Sequence, residues 1–550
     1  MKLAHKIFIF TLGCGLVTSC ADLDTYPEGG TFTADQKTAT AAALPERLSA
    51  DVNGMFAVIG KQYAVFGSAS SRDDDAGYPT VCLSQDLNGP DMVSDNSNYN
   101  WFSVSSQYQD RSDTYANPYM RWAVFYNQIK LANDILATIP ADTEVPQLKI
   151  YKAQAKAVRA FDYLSLVPYF QFKYKGNEDK PSVPIVTENM TGDPSNNPRA
   201  TLREVYELIM SDLDEAIAGL DGYVRISKAE IDQKVAYGLR ARANLYMENW
   251  AAAAADAEKA MAGYTPYSRA QVSTPTFINA NDQNWMWAII LTPTNIPDAY
   301  PSWPSVLGSF SGDSYSAGVA CYKSVNRLLF DKIPATDVRK GWWVDENLTS
   351  PNLANVTWGS ATGNAVATLE IPDVKLPFIP YTNVKFGQYG FIGNNINAGD
   401  WCMMRVEEMI LLRAEALAMA GDLAGGKTLL QNFVTTYRDP AYVSTAATAQ
   451  AFQDEVWLQR RIELWGEGFA MSDIMRLGKN VVRFKEGVQS NFPDDFKFNI
   501  AANDGYLLLR IPQRETNNNR GIPLSANNNQ GSAPAPGNGA GLTDGVVVTD

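Results

Sequence analysis

Apolar residues recur every three or four positions along block after block of this chain, and that spacing restricts it to a fold built largely from packed amphipathic helices. The clearest block opens at Thr201, with Glu204 three residues later in the pattern of a capping box. Leu202, Val205, Ile209, Leu213, Ala216 and Leu220 then share one face. Ala41 to Val65, Tyr119 to Thr138 and Pro146 to about Val167 give three earlier helices, the last stopping before Pro168. Ser227-Lys228-Ala229-Glu230 repeats the capping pattern ahead of the stripe Val235, Leu239, Ala243 and Tyr246, and Ala251 to Ala262 follows as a short alanine-rich helix. Helices resume at Met403–Ala420, Leu423–Tyr437 and Ala449–Leu477. Arg240 to Ala260 reads like the second half of a tetratricopeptide unit, and Met403 to Tyr437 repeats the idea. Such pairs cannot bury their apolar faces alone, so they stack on one another; their irregular spacing argues against a simple solenoid.

Between Gly263 and Asp400 the pattern changes to Pro, Gly, Asn and aromatics alternating with short apolar pieces, which predicts a loop-rich lobe with short strands. The expected fold is mainly α: tetratricopeptide-like helix pairs plus this irregular lobe at about 263–400, in one body spanning 41–516. Residues 517–550 form a C-terminal segment rich in Asn, Gly and Pro, whose last part is expected to be poorly ordered.

The first twenty residues read as an export signal. Lys2, His5 and Lys6 precede an apolar run from Ile7 to Val17 that is too short to span a bilayer, and Val17-Thr18-Ser19-Cys20 follows. A cysteine after small residues resembles the bacterial lipobox, which implies removal of residues 1–19, lipidation of Cys20 and a tether over 20–40. Each buried acyl methylene would add about 0.8 kcal/mol to anchoring.

Removal of the signal also removes His5, the single histidine. The mature chain then lacks the imidazole needed for Ser-His-Asp or Cys-His catalysis and for common zinc sites. Besides Cys20 it keeps Cys82, Cys321 and Cys402, widely separated, with no CxxC pair; small buried thiols are the expected reading. Taking Lys2 and Lys6 from 46 basic groups leaves 44 against 60 acidic ones, a net charge of −16. Such a chain is a poor partner for nucleic acid or anionic lipid. No metal or cofactor is expected.

With 26 Tyr, 23 Phe and 12 Trp, aromatic side chains are abundant enough to supply both a core and a sugar-binding surface. A sugar offers an apolar C–H face to rings and a rim of hydroxyls to Asn and Asp. Two loop segments have that chemistry. In Asp91–Trp101 the candidates are Asp95, Asn98, Tyr99, Asn100 and Trp101; in Tyr300-Pro301-Ser302-Trp303-Pro304 they are Tyr300 and Trp303, with Tyr315 and Tyr322 nearby. The alternating Asp and Asn of the first segment hint at a calcium loop, but the glycine and terminal glutamate of an EF-hand are missing. The expectation is an aromatic platform in which Trp101→Ala and Trp303→Ala weaken glycan binding without lowering the melting temperature. Trp285 and Trp287 read as core, and Trp342-Trp343 as ambiguous. Arg460, Arg461, Glu463 and Glu467 read as a partly buried ionic network fastening the last helix to the body. Two carboxylates one turn apart on one helix leave little room for a sugar between them.

Taken in order, several pieces resemble the SusD/RagB family of outer-membrane lipoproteins: the lipobox at Cys20, Trp122–Tyr126 with Ile129, Ala132–Leu136, Ala157–Leu164, Val205–Leu220, Arg405–Glu408 leading into Arg413–Ala416, Arg460–Gly468, Asp473–Gly478 and Ile511-Pro512. Trp465 and Ala470 depart from that family, which more often has Phe and Arg there. The resemblance implies four tetratricopeptide-like pairs plus an irregular lobe. It also implies a glycan-binding lid, facing the cell exterior and lipid-anchored in the outer membrane, that serves a SusC-like TonB-dependent β-barrel transporter. The alternatives are a surface glycoside hydrolase using carboxylates alone, and a helical-repeat scaffold or peptide-binding lid without glycan binding.

Overall fold

The computed structural model describes residues 34–97, 100–296, 298–528 and 531–546. The signal, Cys20 and part of the tether lie outside these residues, as do Asn98 and Tyr99.

A stack of helices forms the body. Ala116–Thr138 packs on Pro146–Phe170, which packs on Leu202–Gly219; Gln233–Tyr246 and Trp250–Met261 follow as an antiparallel pair. Val406–Met419 then lies against Trp250–Met261, Leu423–Tyr437 and Ala449–Glu463. Small residues allow this closeness. A Cβ added at Gly219 would lie 2.8 Å from the Ala153 methyl, and one at Gly426 would lie 2.7 Å from the Ala414 carbonyl. Ala253, Ala257 and Ala260 are wholly buried on Trp250–Met261, which packs between Gln233–Tyr246 and Val406–Met419. The capping box forms as the spacing predicts: Thr201 Oγ1 accepts from Glu204 N, while the Glu204 carboxylate accepts from Thr201 N at 2.7 Å.

Several expected boundaries move, for identifiable reasons. The Ala41–Val65 block is broken at Pro45 into Ala34–Ala43 and Ser49–Val58, joined by a 3-10 turn. The helix at Pro146 continues to Phe170, with Pro168 tolerated in its last turn. Ser227 caps only a local turn, and Asp232 takes the N-cap of Gln233–Tyr246 by accepting from Val235 N at 2.9 Å. Residues Trp401–Arg405 are a strand, so the helix expected from Met403 begins at Val406. Ala449–Leu477 is two helices, ending at Glu463 and restarting at Ala470. Gly466 and Gly468 sit between them at φ 80° and 86°, and a Cβ at Gly468 would lie 2.5 Å from Cβ of Cys82. The C-terminal segment over 531–546 is docked rather than loose: Asn499 N donates to Asn538 O, and Asn480 Nδ2 to Thr543 O.

The lobe over 263–400 contains short strands and single helical turns. Trp285–Ile289 pairs antiparallel with Trp401–Arg405, joining lobe to body, and Met92–Val93 pairs with Ser324–Val325. Trp285, Trp287, Trp342 and Trp343 are all core. Cys82 and Cys321 are buried and Cys402 is half-buried, each a free thiol.

Asp162 stands out within Pro146–Phe170. It is fully buried, neither carboxylate oxygen has a hydrogen-bond partner among the described residues, and burial pushes its carboxyl well above the usual range. The folded chain therefore keeps a proton that the unfolded chain releases near pH 4, so this group costs stability as pH rises, by at most about 1.4 kcal/mol per pH unit. Asp162→Asn is expected to melt higher than wild type at pH 8, with the gap closing toward pH 4 in thermal scans across that range.

Candidate binding platform

Three segments far apart in the chain converge at one place on the surface. The first is 62–75. Gln62 is buried and donates through Nε2 to the carbonyls of Asp298 and Pro301 at 2.6 and 2.9 Å. Asp75 accepts from Val65 N and Phe66 N, which turns this segment back on itself. The second is the loop from Asp91 to Trp101. Arg461 anchors its base with two bonds to Asp91, at 2.6 and 2.8 Å, and also reaches Asp544 in the C-terminal segment at 3.1 Å. Asp91 is thus held by a guanidinium. The third is Asp298–Tyr315.

The rings meet over carboxylates. Tyr300 is 41% exposed and lies 5.7 Å from the half-buried Tyr315 ring. Its hydroxyl donates to Asp313 at 2.8 Å, and that bond and then burial push the phenol up. The Tyr315 hydroxyl donates to Asp73 at 2.5 Å; burial and then this bond push it up to about 12, while Trp101 works the other way. Tyr63 donates to Asp298 at 2.9 Å and to Asp73 at 3.3 Å. These phenols stay protonated and donate, so each carboxylate keeps lone pairs to accept further donors. Trp101 is half-buried. The Arg72 guanidinium lies 5.9 Å from its ring centroid and 5.4 Å from that of Phe66, and pairs with Asp74 at 2.6 Å. The stack continues to Tyr119, 5.7 Å from Phe66, and to Arg514, 4.5 Å from Tyr119.

The expected residues separate on this geometry. Trp101 and Tyr300 come together through Tyr315. Asp95 is half-buried and accepts from Ser97 N at 3.2 Å, which shapes the loop. Asn100 is buried and acts within the loop, donating to Ser94 Oγ and to the Asp95 carbonyl and accepting from Phe102 N, so the expectation that it meets ligand hydroxyls is corrected. Trp303 is also corrected: it is 2% exposed, donates its indole N–H to the Gly399 carbonyl at 2.7 Å, and packs on Phe386 and Trp401. Asn98 and Tyr99 lie outside the described residues. Tyr322 is buried in the lobe. Arg72, Asp73, Tyr63, Asp298 and Asp313 were missed, and Asp-rich Arg72–Asp75 beside aromatic residues was the available signal.

Clefts lie elsewhere. One of about 860 Å³ is bordered by Tyr115, Arg510 and Asn528, and one of about 800 Å³ by Phe56, Ile226 and Leu291. Neither gathers rings and tyrosine-held carboxylates in the way the platform does. Glu463 and Glu467 are not a hydrolytic pair. Glu463 is buried against Arg339, Arg405 and Arg438, and Glu467 against Arg405 and Lys385. Burial alone would raise both carboxyls, but these cations hold Glu463 well below and Glu467 below the usual range.

Comparison with known proteins agrees with this architecture. Residues 77–245 match a family described as starch-binding and associating with the outer membrane, and residues 343–530 match the SusD family. SusD-like protein P38 of Formosa agariphila is 22% identical over 397 residues, covering 66% of this chain and 73% of that protein. A SusD-like carbohydrate-binding protein from Bacteroides vulgatus superposes with a TM-score of 0.69 at 25% identity, over 86% of this chain and 96% of its own. A laminarin-binding SusD-like protein shares the fold, with a TM-score of 0.57 at 18% identity, over 86% of this chain and 98% of that one. Among the described residues no helix is long and apolar enough to cross a membrane. With both matches falling on the stacked helices and the network that ties them to the lobe, this chain belongs to the SusD/RagB family.

Proposed function

We propose that this protein captures oligosaccharide at the cell surface on the Trp101, Tyr300 and Tyr315 platform and hands it to a SusC-like TonB-dependent outer-membrane transporter, held in place by a lipid on Cys20. The observation that carries the reading is the meeting of these rings with carboxylates whose outer lone pairs remain free. Such a surface matches a pyranose, with C–H groups on the rings and hydroxyls on Asp73 and Asp313. Sugar-binding relatives and the starch-binding description of the matched family support it. Binding without turnover is the favoured form, since Glu463 and Glu467 are both consumed by the ionic network.

Isothermal titration against a panel of neutral oligosaccharides and peptides tests the reading. Trp101→Ala is expected to weaken glycan binding by about 1–3 kcal/mol, by analogy with base stacking on aromatics, with a nearly unchanged melting temperature because the ring is only half-buried. Peptide binding with silence on every glycan would overturn the ligand class.

A further inference from the structure

The charge around the platform is unbalanced in a way its rings do not require. Asp73, Asp298 and Asp313 are all half-buried beside Tyr300 and Tyr315, and their side-chain donors are tyrosine hydroxyls, with a backbone N–H of Tyr300 on Asp298 as well. Among the described residues none of the three forms an ion pair. Of the two guanidiniums in the stack, Arg72 is engaged by Asp74 at 2.6 Å and so cancels a fourth carboxylate, and Arg514 lies over Phe66 and Tyr119 and pairs with none of the three. Asp75, whose oxygens take the backbone N–H groups of Val65 and Phe66, adds to the same side of the balance. All three uncompensated carboxylates act on the Tyr300 hydroxyl, which places their field at the exposed ring.

We infer that this platform selects neutral glycans and rejects those carrying uronate or sulfate groups, because three carboxylates without a cationic partner surround its rings. The inference rests on the glycan-binding reading and adds the ligand's charge class. A hydroxyl donates to a carboxylate; an anionic substituent can only accept and meets like charge at contact distance. Like charges near 4 Å repel appreciably even in water, and more strongly where the surface is partly dry. The repulsion is long-ranged enough to be screened by salt.

The test uses matched ligands. The mature protein is titrated with cello-, laminari- and malto-hexaose, and the tightest binder is compared with its C6-oxidised form, in which hydroxymethyl groups have become carboxylates. Oligogalacturonate and oligoguluronate of equal length complete the set. The oxidised ligand is expected to bind roughly tenfold or more weakly at low salt, with the gap narrowing as sodium chloride is raised. Asp73→Asn and Asp313→Asn preserve the acceptor for each tyrosine, and in both the neutral-to-oxidised affinity ratio is expected to fall. Equal or tighter binding of the oxidised ligand, or a gap indifferent to salt and to both variants, overturns the inference while leaving the platform intact if Trp101→Ala still weakens binding. Silence on every neutral and acidic glycan overturns the binding reading and this inference with it.

Discussion

Glu463→Gln is expected to lower the unfolding free energy by about 3–5 kcal/mol, the range found when one partner of a buried ion pair is removed. Glu463 is wholly buried and accepts from three guanidiniums that belong to different parts of the chain. Arg339 comes from the loop-rich lobe, Arg405 from the strand that joins lobe and body, and Arg438 from the end of Leu423–Tyr437. The amide has nearly the carboxylate's shape, so packing is conserved and the loss is electrostatic. Arg339 keeps Asp337, and Arg405 keeps Glu467, which moderates the loss without repairing it. Urea unfolding monitored by tryptophan fluorescence measures it. The exposed pair Lys130–Asp134 is the control, since removing it is expected to cost under about 1 kcal/mol. The same carboxyl ties stability to acid: held below its ordinary range by the arginines, it contributes stability at neutral pH that is lost as pH falls through its depressed value.

Trp303→Ala is expected to cost about 3–5 kcal/mol of stability, the usual price of truncating a buried aromatic to alanine. This reverses what the sequence suggested, namely lost affinity at an unchanged melting temperature. Trp303 opens the single helical turn Trp303–Val306, capped by Ser302, which turns the indole inward onto Phe386 and Trp401. Tyr300, three residues earlier, faces outward. Calorimetry should show the melting temperature dropping well below wild type. Affinity should fall only as far as the Tyr300 segment shifts over the hole, so a binding loss with no change in melting would return the ring to the surface.

The two tryptophans show where sequence reasoning reached and where it stopped. Periodicity located the helical body well, because burial of one helical face leaves a local record: Thr201–Glu204 and the Leu202–Leu220 stripe are readable within one turn of each other. It misjudged ends wherever two nearby residues compete for one role, as Asp232 displaced Ser227 and as Gly466 and Gly468 split what looked like one helix. The platform was half legible. Trp101 and Tyr300 have the right chemistry in loop stretches, but whether a loop ring faces in or out depends on backbone that composition does not encode, and this separates Tyr300 from Trp303. Arg72, Asp73 and Tyr63 left only the Asp-rich run Arg72–Asp75 beside aromatics, because their partners lie as far as 242 positions away, as in the Tyr315–Asp73 bond. The role of Asn100 was misread for a related reason: an amide suited to a sugar hydroxyl is equally suited to closing its own loop.

Arg461 holds Asp91 at the base of the Asp91–Trp101 loop with one side of its guanidinium and Asp544 in the C-terminal segment with the other. The stretch around Asp544 is therefore part of the scaffold beneath the platform, despite a composition that looks dispensable. An affinity tag fused there, or a truncation made for convenience, acts on the loop through a single shared side chain. Tags on this protein belong at a site remote from the Arg461–Asp544 contact.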